Sequence, residues 1–188
     1  MGESVSFWDF SVKAYRRTGV ADACLALQHQ HGLDVNLLLY CCWIGVSRGP
    51  LRESDLNAAL KFSATWSTNV VAPLREVRSW MKTTGCEVEH LRKTDCMAVR
   101  ADVKATELAA ERIQQSGLES LSEPIAERAL STDEQLAAIL FNLTCYLSRV
   151  NVDRARISSR DLATVVTAAI PTSRYDAVIL AVRTAAFS

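Results

Sequence analysis

The stretch DVNLLLYCCWIGV, from Asp34 to Val46, decides the fold expected of this chain. From Leu37 to Ile44 its residues are apolar on every side of a helix, whereas a helix at a protein surface carries a polar face. Asp34 stands immediately before this run, where its carboxylate can accept hydrogen bonds from the free N–H groups of a helix start. We therefore expect a helix that is capped by Asp34 and buried in the middle of a folded domain.

The rest of the chain also has helical spacing. Apolar residues recur every three or four positions before and after the central stretch, and Pro73 should kink or divide the helix that contains it. Residues 87–115 form one long helical pattern, and helix start signals precede further apolar segments after residue 130. Seven glycines and four prolines in 188 residues are few for a β-sandwich or barrel. The predicted fold class is all-α, a helical bundle with one long helix and additional C-terminal helices.

These patterns suggest a division of the chain into three parts. Residues 6–115 are predicted to form a helical bundle domain, and residues 131–188 a C-terminal helical extension. Residues 116–130 are locally acidic and have the weakest helical pattern, so we interpret them as a linker. The sequence leaves open whether the extension folds back onto the bundle or forms a separate lobe.

Four motifs in the N-terminal half carry a resemblance to a known family. They are FWDFS (7–11), GVADACLALQ (19–28), GLDVNLLLYCCW (32–43) and WSTNVVAPLR (66–75). In these motifs the chain resembles a proteobacterial family described only as a domain of unknown function, over about residues 7–110. The resemblance implies a bacterial source and an all-α fold, and it implies no activity.

Composition narrows the class of function. The 21 Lys and Arg residues balance the 21 Asp and Glu residues, so no overall charge attracts the chain to nucleic acid or to an anionic membrane. The longest uncharged runs, Val35–Ser47 and Leu136–Ser148, are shorter than the roughly 20 residues of a membrane span. The first ten residues lack the basic and apolar regions of a signal peptide. We therefore expect a cytoplasmic protein whose six cysteines are reduced thiols, not a disulfide framework.

A first candidate site lies at the entrance to the central helix, where His31, Asp34 and Asn36 are polar. One interpretation is structural, with Asp34 as the helix cap and Asn36 clamping a neighbouring loop. The alternative is a pocket for a small ligand or a metal at the end of the bundle. His29 and His31 are two residues apart and point in different directions on a helix, which is poor metal-ligand spacing. We therefore predict no metal and no cofactor.

A second candidate is a basic face formed by Arg75, Arg78, Lys82, Arg92 and Lys93. Arginines interleaved with Trp66 and Trp80 can bind nucleic acid or an acidic partner. The same arginines can instead pair with nearby glutamates such as Glu76, Glu87 and Glu89 on a solvated surface. Nucleic-acid binding is therefore the weaker alternative.

A third candidate is a self-association seam on the long helix. The apolar residues there are Leu91, Ala98, Val103, Leu108 and Ile113. Such a thin seam must be covered by the C-terminal helices, by a second copy of the chain or by another protein. No nucleophile motif, phosphate-binding loop or Cys–His pair indicates an enzyme. The leading hypothesis is a non-enzymatic protein-interaction or regulatory protein, and the seam predicts a homodimer or a swapped C-terminal lobe.

Overall fold

The computed structural model describes residues 5–122 and 129–186, and in these ranges the chain contains helices and no strand. The helices are α1 (Phe7–Tyr15), α2 (Val20–His31), α3 (Val35–Ser47), α4 (Glu53–Trp66), α5 (Ala72–Thr83), α6 (Lys93–Ser120), α7 (Thr132–Arg149), α8 (Ser159–Ala169) and α9 (Tyr175–Ala186). A short 3-10 turn, Arg154–Arg156, precedes α8. The predicted all-α fold class, with one long helix and additional C-terminal helices, is confirmed.

Helix α3 occupies the centre, as its apolar sequence predicted. All ten residues from Asn36 to Gly45 are buried. Three aromatic rings pack at one end of this core: the ring of Phe7 in α1 lies 5.7 Å from the ring of Tyr40 and 5.4 Å from that of Trp43, measured between centroids. Large aromatic contacts of this kind hold α1 against α3.

The C-terminal helices fold back onto the N-terminal ones, which answers the question that the sequence left open. Helix α7 packs along α3, α8 packs against α2, and α9 lies on α8. One apolar core contains Leu38 of α3, Ile139 of α7 and Val166 of α8. The boundaries 6–115 and 131–188 stay a prediction, and residues 123–128 of the proposed linker lie outside the described residues.

Two helix boundaries differ from the expected ones. The long helix begins at Lys93, not at Glu87, because Cys86 and His90 have positive φ angles of 58° and 66° that an α-helix cannot contain. It continues to Ser120 because Leu118, near its end, is fully buried. The expected disruption at Pro73 is present as a π-helical turn, Ser67–Val71, which separates α4 from α5.

The expectation of six reduced cysteines is wrong for two of them. Cys86 and Cys96 form a disulfide, with their Cα atoms 5.8 Å apart. The turn between α5 and α6 reverses the chain and brings these two positions within disulfide range, which the sequence spacing alone did not show. Cys24, Cys41, Cys42 and Cys145 are free thiols.

Candidate functional site

Helices α5 and α6 form an antiparallel pair, and we call its residues 72–111 the arm. Three contacts define its register: Arg75 with Glu111, Arg78 with Glu107, and the disulfide at the tip. No residue of α5 is buried, and α5 packs mainly on α6 and the π-helical turn. The arm therefore extends from the bundle and is anchored to it at one end.

Two arginines and two glutamates join the helices at the base of the arm. The Arg75 Nε lies 3.1 Å from Glu107 Oε1, and its Nη2 lies 2.9 Å from Glu111 Oε1. Arg78 pairs with the same Glu107 through its Nε and Nη2. Glu107 is only 6% exposed. At the base of the arm the two helices are therefore joined by an enclosed network of ion pairs, where helices more often meet through apolar side chains.

The two glutamates differ in their pKa. Burial raises the pKa of Glu111 above its usual value, and the nearby carboxylates of Glu107 and Asp34 add to this effect against the attraction of Arg75. Burial also disfavours ionised Glu107, but the hydrogen bonds and charges of Arg78 and Arg75 outweigh it and lower the pKa of Glu107. One carboxylate of the network is therefore held ionised and the other takes up a proton more readily.

A buried polar network continues inward from this base and is centred on Asp34. Asp34 Oδ1 accepts the backbone N–H groups of Asn36 and Leu37, at N–O distances of 2.8 and 3.4 Å, which confirms the predicted cap of α3. The other oxygen, Oδ2, accepts the Ser63 hydroxyl and the Gln114 amide. The carboxylate is therefore bonded by four donors from α3, α4 and α6.

The structural interpretation expected Asn36 to bond to a neighbouring loop. Its side chain bonds instead to the long helix α6. Its Nδ2 donates to Gln114 Oε1 at 2.8 Å, and its Oδ1 accepts from Gln115 Nε2 at 2.7 Å. Gln114 is 1% exposed, so these bonds lie inside the protein. The backbone N–H of Asp34 donates to the Tyr146 hydroxyl of α7 at 3.0 Å. Side chains from four helices are thus joined around the start of α3.

His31 has no hydrogen bond to this network. Its Nε2 is enclosed without a hydrogen-bond partner among the described residues. In the described part of the chain no three His, Cys, Asp or Glu side chains are grouped so that they could hold a metal ion. Asp34 and Asn36 therefore lie in one hydrogen-bond network, and His31 is not part of it. The polar side-chain atoms of Asp34 and Asn36 bond to other groups of the protein.

The basic face is divided in the structure. Arg75 and Arg78 are neutralised by glutamates of α6, which are not the glutamates that the sequence had suggested. Arg92 pairs with Asp95, Nη2 to Oδ2, at 2.9 Å. Among the described residues neither Lys82 nor Lys93 has an ion-pair partner. Two of the five cations are therefore free, which offers little to a phosphate backbone.

The seam residues do not lie along one side of α6. A five-residue step turns a helix by about 140°, so Val103, Leu108 and Ile113 point in three directions. Val103 is half-buried, whereas Leu91, Leu108 and Ile113 are exposed. Apart from Cys96 in the disulfide, the buried residues of α6 are largely polar: Glu107, Ala110, Gln114, Gln115 and Leu118.

Sequence reasoning missed Ser63, Gln114, Gln115 and Tyr146 as members of the buried network. A signal for part of it was present, because Glu107, Glu111, Gln114 and Leu118 recur at helical spacing on one side of α6. The sequence did not show that such polar residues face inward, since their partners come from other helices. A cleft of about 460 Å³ lies elsewhere, between the α1–α2 turn and α8.

Comparison with known proteins gives one match. No curated protein and no solved structure matches the chain. Residues 6–118, which include α1 to α6 almost to its end, match the family described as "Protein of unknown function (DUF2390)". The match covers more than half of the chain and includes the arm and most of the residues of the buried network. The chain therefore belongs to this family of proteins of unknown function.

Proposed function

We propose that this chain is a non-enzymatic protein-interaction protein of the bacterial cytoplasm, and that it binds through the arm to the arm of a second copy. The observation that carries the proposal is the arm itself, a helical pair that extends from the bundle with large apolar side chains exposed. Val77 and Trp80 of α5 and Met97 and Val99 of α6 are all exposed.

Trp80 supports the proposal most directly. Its side chain is 53% exposed, although burying a tryptophan stabilises a protein more than burying most other residues. Half-exposed tryptophans are enriched among the residues that dominate binding energy at protein interfaces. Leu108 of α6 is exposed as well, next to Glu107, which pairs with Arg78. A partner that packs on the arm would cover such apolar side chains.

The base of the arm supports the proposal by being rigid. Glu107 and Glu111 hold α5, and Gln114 and Gln115, on the next turn of the same helix, are bonded to Asn36 in the core. A binding element that is already ordered loses less conformational entropy when the partner binds. The buried network is therefore best understood as the anchor of the arm.

Charge favours a second copy as the partner. Residues 72–111 carry seven Arg or Lys and seven Asp or Glu. An arm with one sign of charge would repel its own copy, whereas a balanced arm can align opposite charges across a two-fold axis. Among the described residues no helix has the length and apolar character needed to cross a membrane.

The test is the oligomeric state of three proteins, measured by light scattering and analytical ultracentrifugation at about 1–100 µM. We expect the wild type to dimerise in this range. Leu108→Lys should weaken dimerisation at least tenfold without loss of helix content, since Leu108 is 55% exposed and stabilises no core.

The matched control is Leu180→Lys, which places the same substitution at a 66% exposed leucine of α9, away from the arm. It should leave the dimer unchanged. A wild type that stays monomeric throughout the range contradicts the second copy as partner. Equal weakening by the two variants contradicts the arm as the interface.

A further inference from the structure

We infer that Cys86 and Cys96 form a reversible thiol–disulfide modification site that sets the rigidity of the arm. The co-reactant is a dithiol for reduction and a disulfide for oxidation. The effect of this site on partner binding rests on the proposed function, whereas its effect on the arm does not.

The position of the pair is the first support. It connects the start of the α5–α6 turn to the first turn of α6, ten residues apart in sequence and at the free end of the arm. Every residue between them, 87–95, is exposed. Cys96 is 8% exposed and Cys86 1%, so the sulfur of Cys96 is the more accessible to an attacking thiolate.

The weak interior of the arm is the second support. Leu74, Met81 and Val103 are apolar residues of the arm, and each is only partly buried. The Nε of Arg100 is enclosed without a hydrogen-bond partner in the described part of the chain. A helical pair whose apolar side chains stay partly exposed gains less stability from packing than a core helix does. Away from its base, the arm therefore depends on the disulfide.

The other thiols provide the contrast that makes this site selective. Burial raises the pKa of Cys24 to about 12, and burial likewise raises the pKa of Cys41 and Cys42 well above the usual value. Protonated, enclosed thiols react slowly, because the thiolate is the nucleophile. Of the four free thiols only Cys145 is partly exposed, and no second cysteine forms a disulfide with it.

The reaction balances as a two-electron exchange. A thiolate of the reductant attacks the sulfur of Cys96, the S–S bond breaks, and Cys86 leaves as a thiolate that takes a proton. The second thiol of the reductant then displaces Cys96, which also takes a proton, and the reductant ends as a disulfide. Oxidation by a disulfide reverses these steps. In a reducing compartment a disulfide is more often a transient, redox-sensing bond than a structural cross-link.

The experiment compares the whole protein equilibrated with oxidised and with reduced dithiothreitol. Alkylation and mass spectrometry should find four free thiols in the oxidised protein and six in the reduced one. Hydrogen exchange should then become about a hundredfold faster in residues 76–104 on reduction, because the cross-link of a ten-residue loop is lost. Exchange in α3 and α7 should not change, which also shows that the core stays folded.

Two variants control for side effects. The double variant Cys86→Ser with Cys96→Ser should exchange at the reduced rate under both conditions, and Cys145→Ser should respond as the wild type does. Six free thiols after oxidation, or arm exchange that is the same in the two states, would overturn the inference. The dimer affinity is measured separately in both states: an arm that loosens while no dimer forms in either state contradicts the proposed function and leaves this inference supported.

Discussion

Glu107 and Glu111 lie one helical turn apart, and their surroundings differ in the number of cations. Glu107 accepts hydrogen bonds from both arginines at the base of the arm, whereas Glu111 accepts one, from Arg75, and also faces the carboxylates of Glu107 and Asp34. Three carboxylates therefore lie near two guanidinium groups, and only Glu107 and Glu111 pair with them. Burial raises the pKa of Glu111 and the neighbouring carboxylates add to this effect, so we assign the surplus negative charge of the site to Glu111.

Glu111→Gln tests this assignment through pH. A raised pKa in the folded state means that folding favours protonated Glu111, so its stabilising contribution is complete below about pH 4.5 and is lost as pH rises through the folded pKa. The free energy of unfolding of the wild type should therefore fall relative to that of Glu111→Gln as pH increases from 4.5. Urea titrations across this range measure the difference.

Glu107→Gln is the matched control, because the pKa of Glu107 is lowered. Ionised Glu107 stabilises the fold above about pH 4.5, and this contribution is lost as pH falls through its folded pKa. Wild type and Glu107→Gln should therefore differ most at neutral pH and converge in acid. If the two substitutions gave the same direction of pH dependence, the assignment of the surplus charge to Glu111 would be wrong.

At the scale of the elements, the quality of the sequence prediction differs between α3 and α6. Helix α3 could be predicted in position and burial because its apolar run leaves no polar side. Helix α6 could be predicted to exist, but not which side faces inward. Gln114 and Gln115 can be buried because Asn36 and Asp34, 78 to 80 residues earlier, bond to them. Spacing along one helix cannot show a partner that comes from another, and the same reason explains why the Cys86–Cys96 pair was not expected.

The contact between α3 and α7 makes a further prediction, because it depends on the absence of a side chain at Gly45. A Cβ there would lie 2.8 Å from the backbone N of Ile139 and 2.9 Å from its Cα. Gly45→Ala must therefore separate the two helices, and we expect it to destabilise the protein by about 1–3 kcal/mol even though alanine favours a helix. Urea unfolding measures this change.

Gly117→Ala is the appropriate comparison. A Cβ at that position of α6 would meet the edge of the Phe62 ring, which is partly exposed and can rotate away. It should cost less stability than Gly45→Ala. The reverse order would show that α3 and α7 are not held in the close contact described.

For the whole molecule, the main consequence is that the family-matched segment contains only part of the core. The match ends at residue 118, yet α3 is covered along its length by α7, which begins at Thr132. Asn142 of α7 is fully buried and bonds three backbone groups of the N-terminal part: its amide donates to the carbonyls of Cys41 and Gly49, and its oxygen accepts the N–H of Leu51. The apolar surface and these polar groups all need the C-terminal helices.

The last prediction is therefore that neither half folds without the other. Residues 1–122 and 129–188, produced separately, should each lack a cooperative thermal transition. In the first fragment α3 would expose its apolar surface to water, and in the second the apolar surfaces of α7 and α8 would be exposed. Mixed together, they should associate and recover the helix signal in circular dichroism. Asn142→Ala in the second fragment should weaken this association about 10- to 100-fold, since buried backbone groups would lose their partners. Cooperative unfolding of residues 1–122 alone, at the transition temperature of the intact chain, would instead establish the N-terminal part as an independent domain, and α7 to α9 as an addition to a core that is already complete.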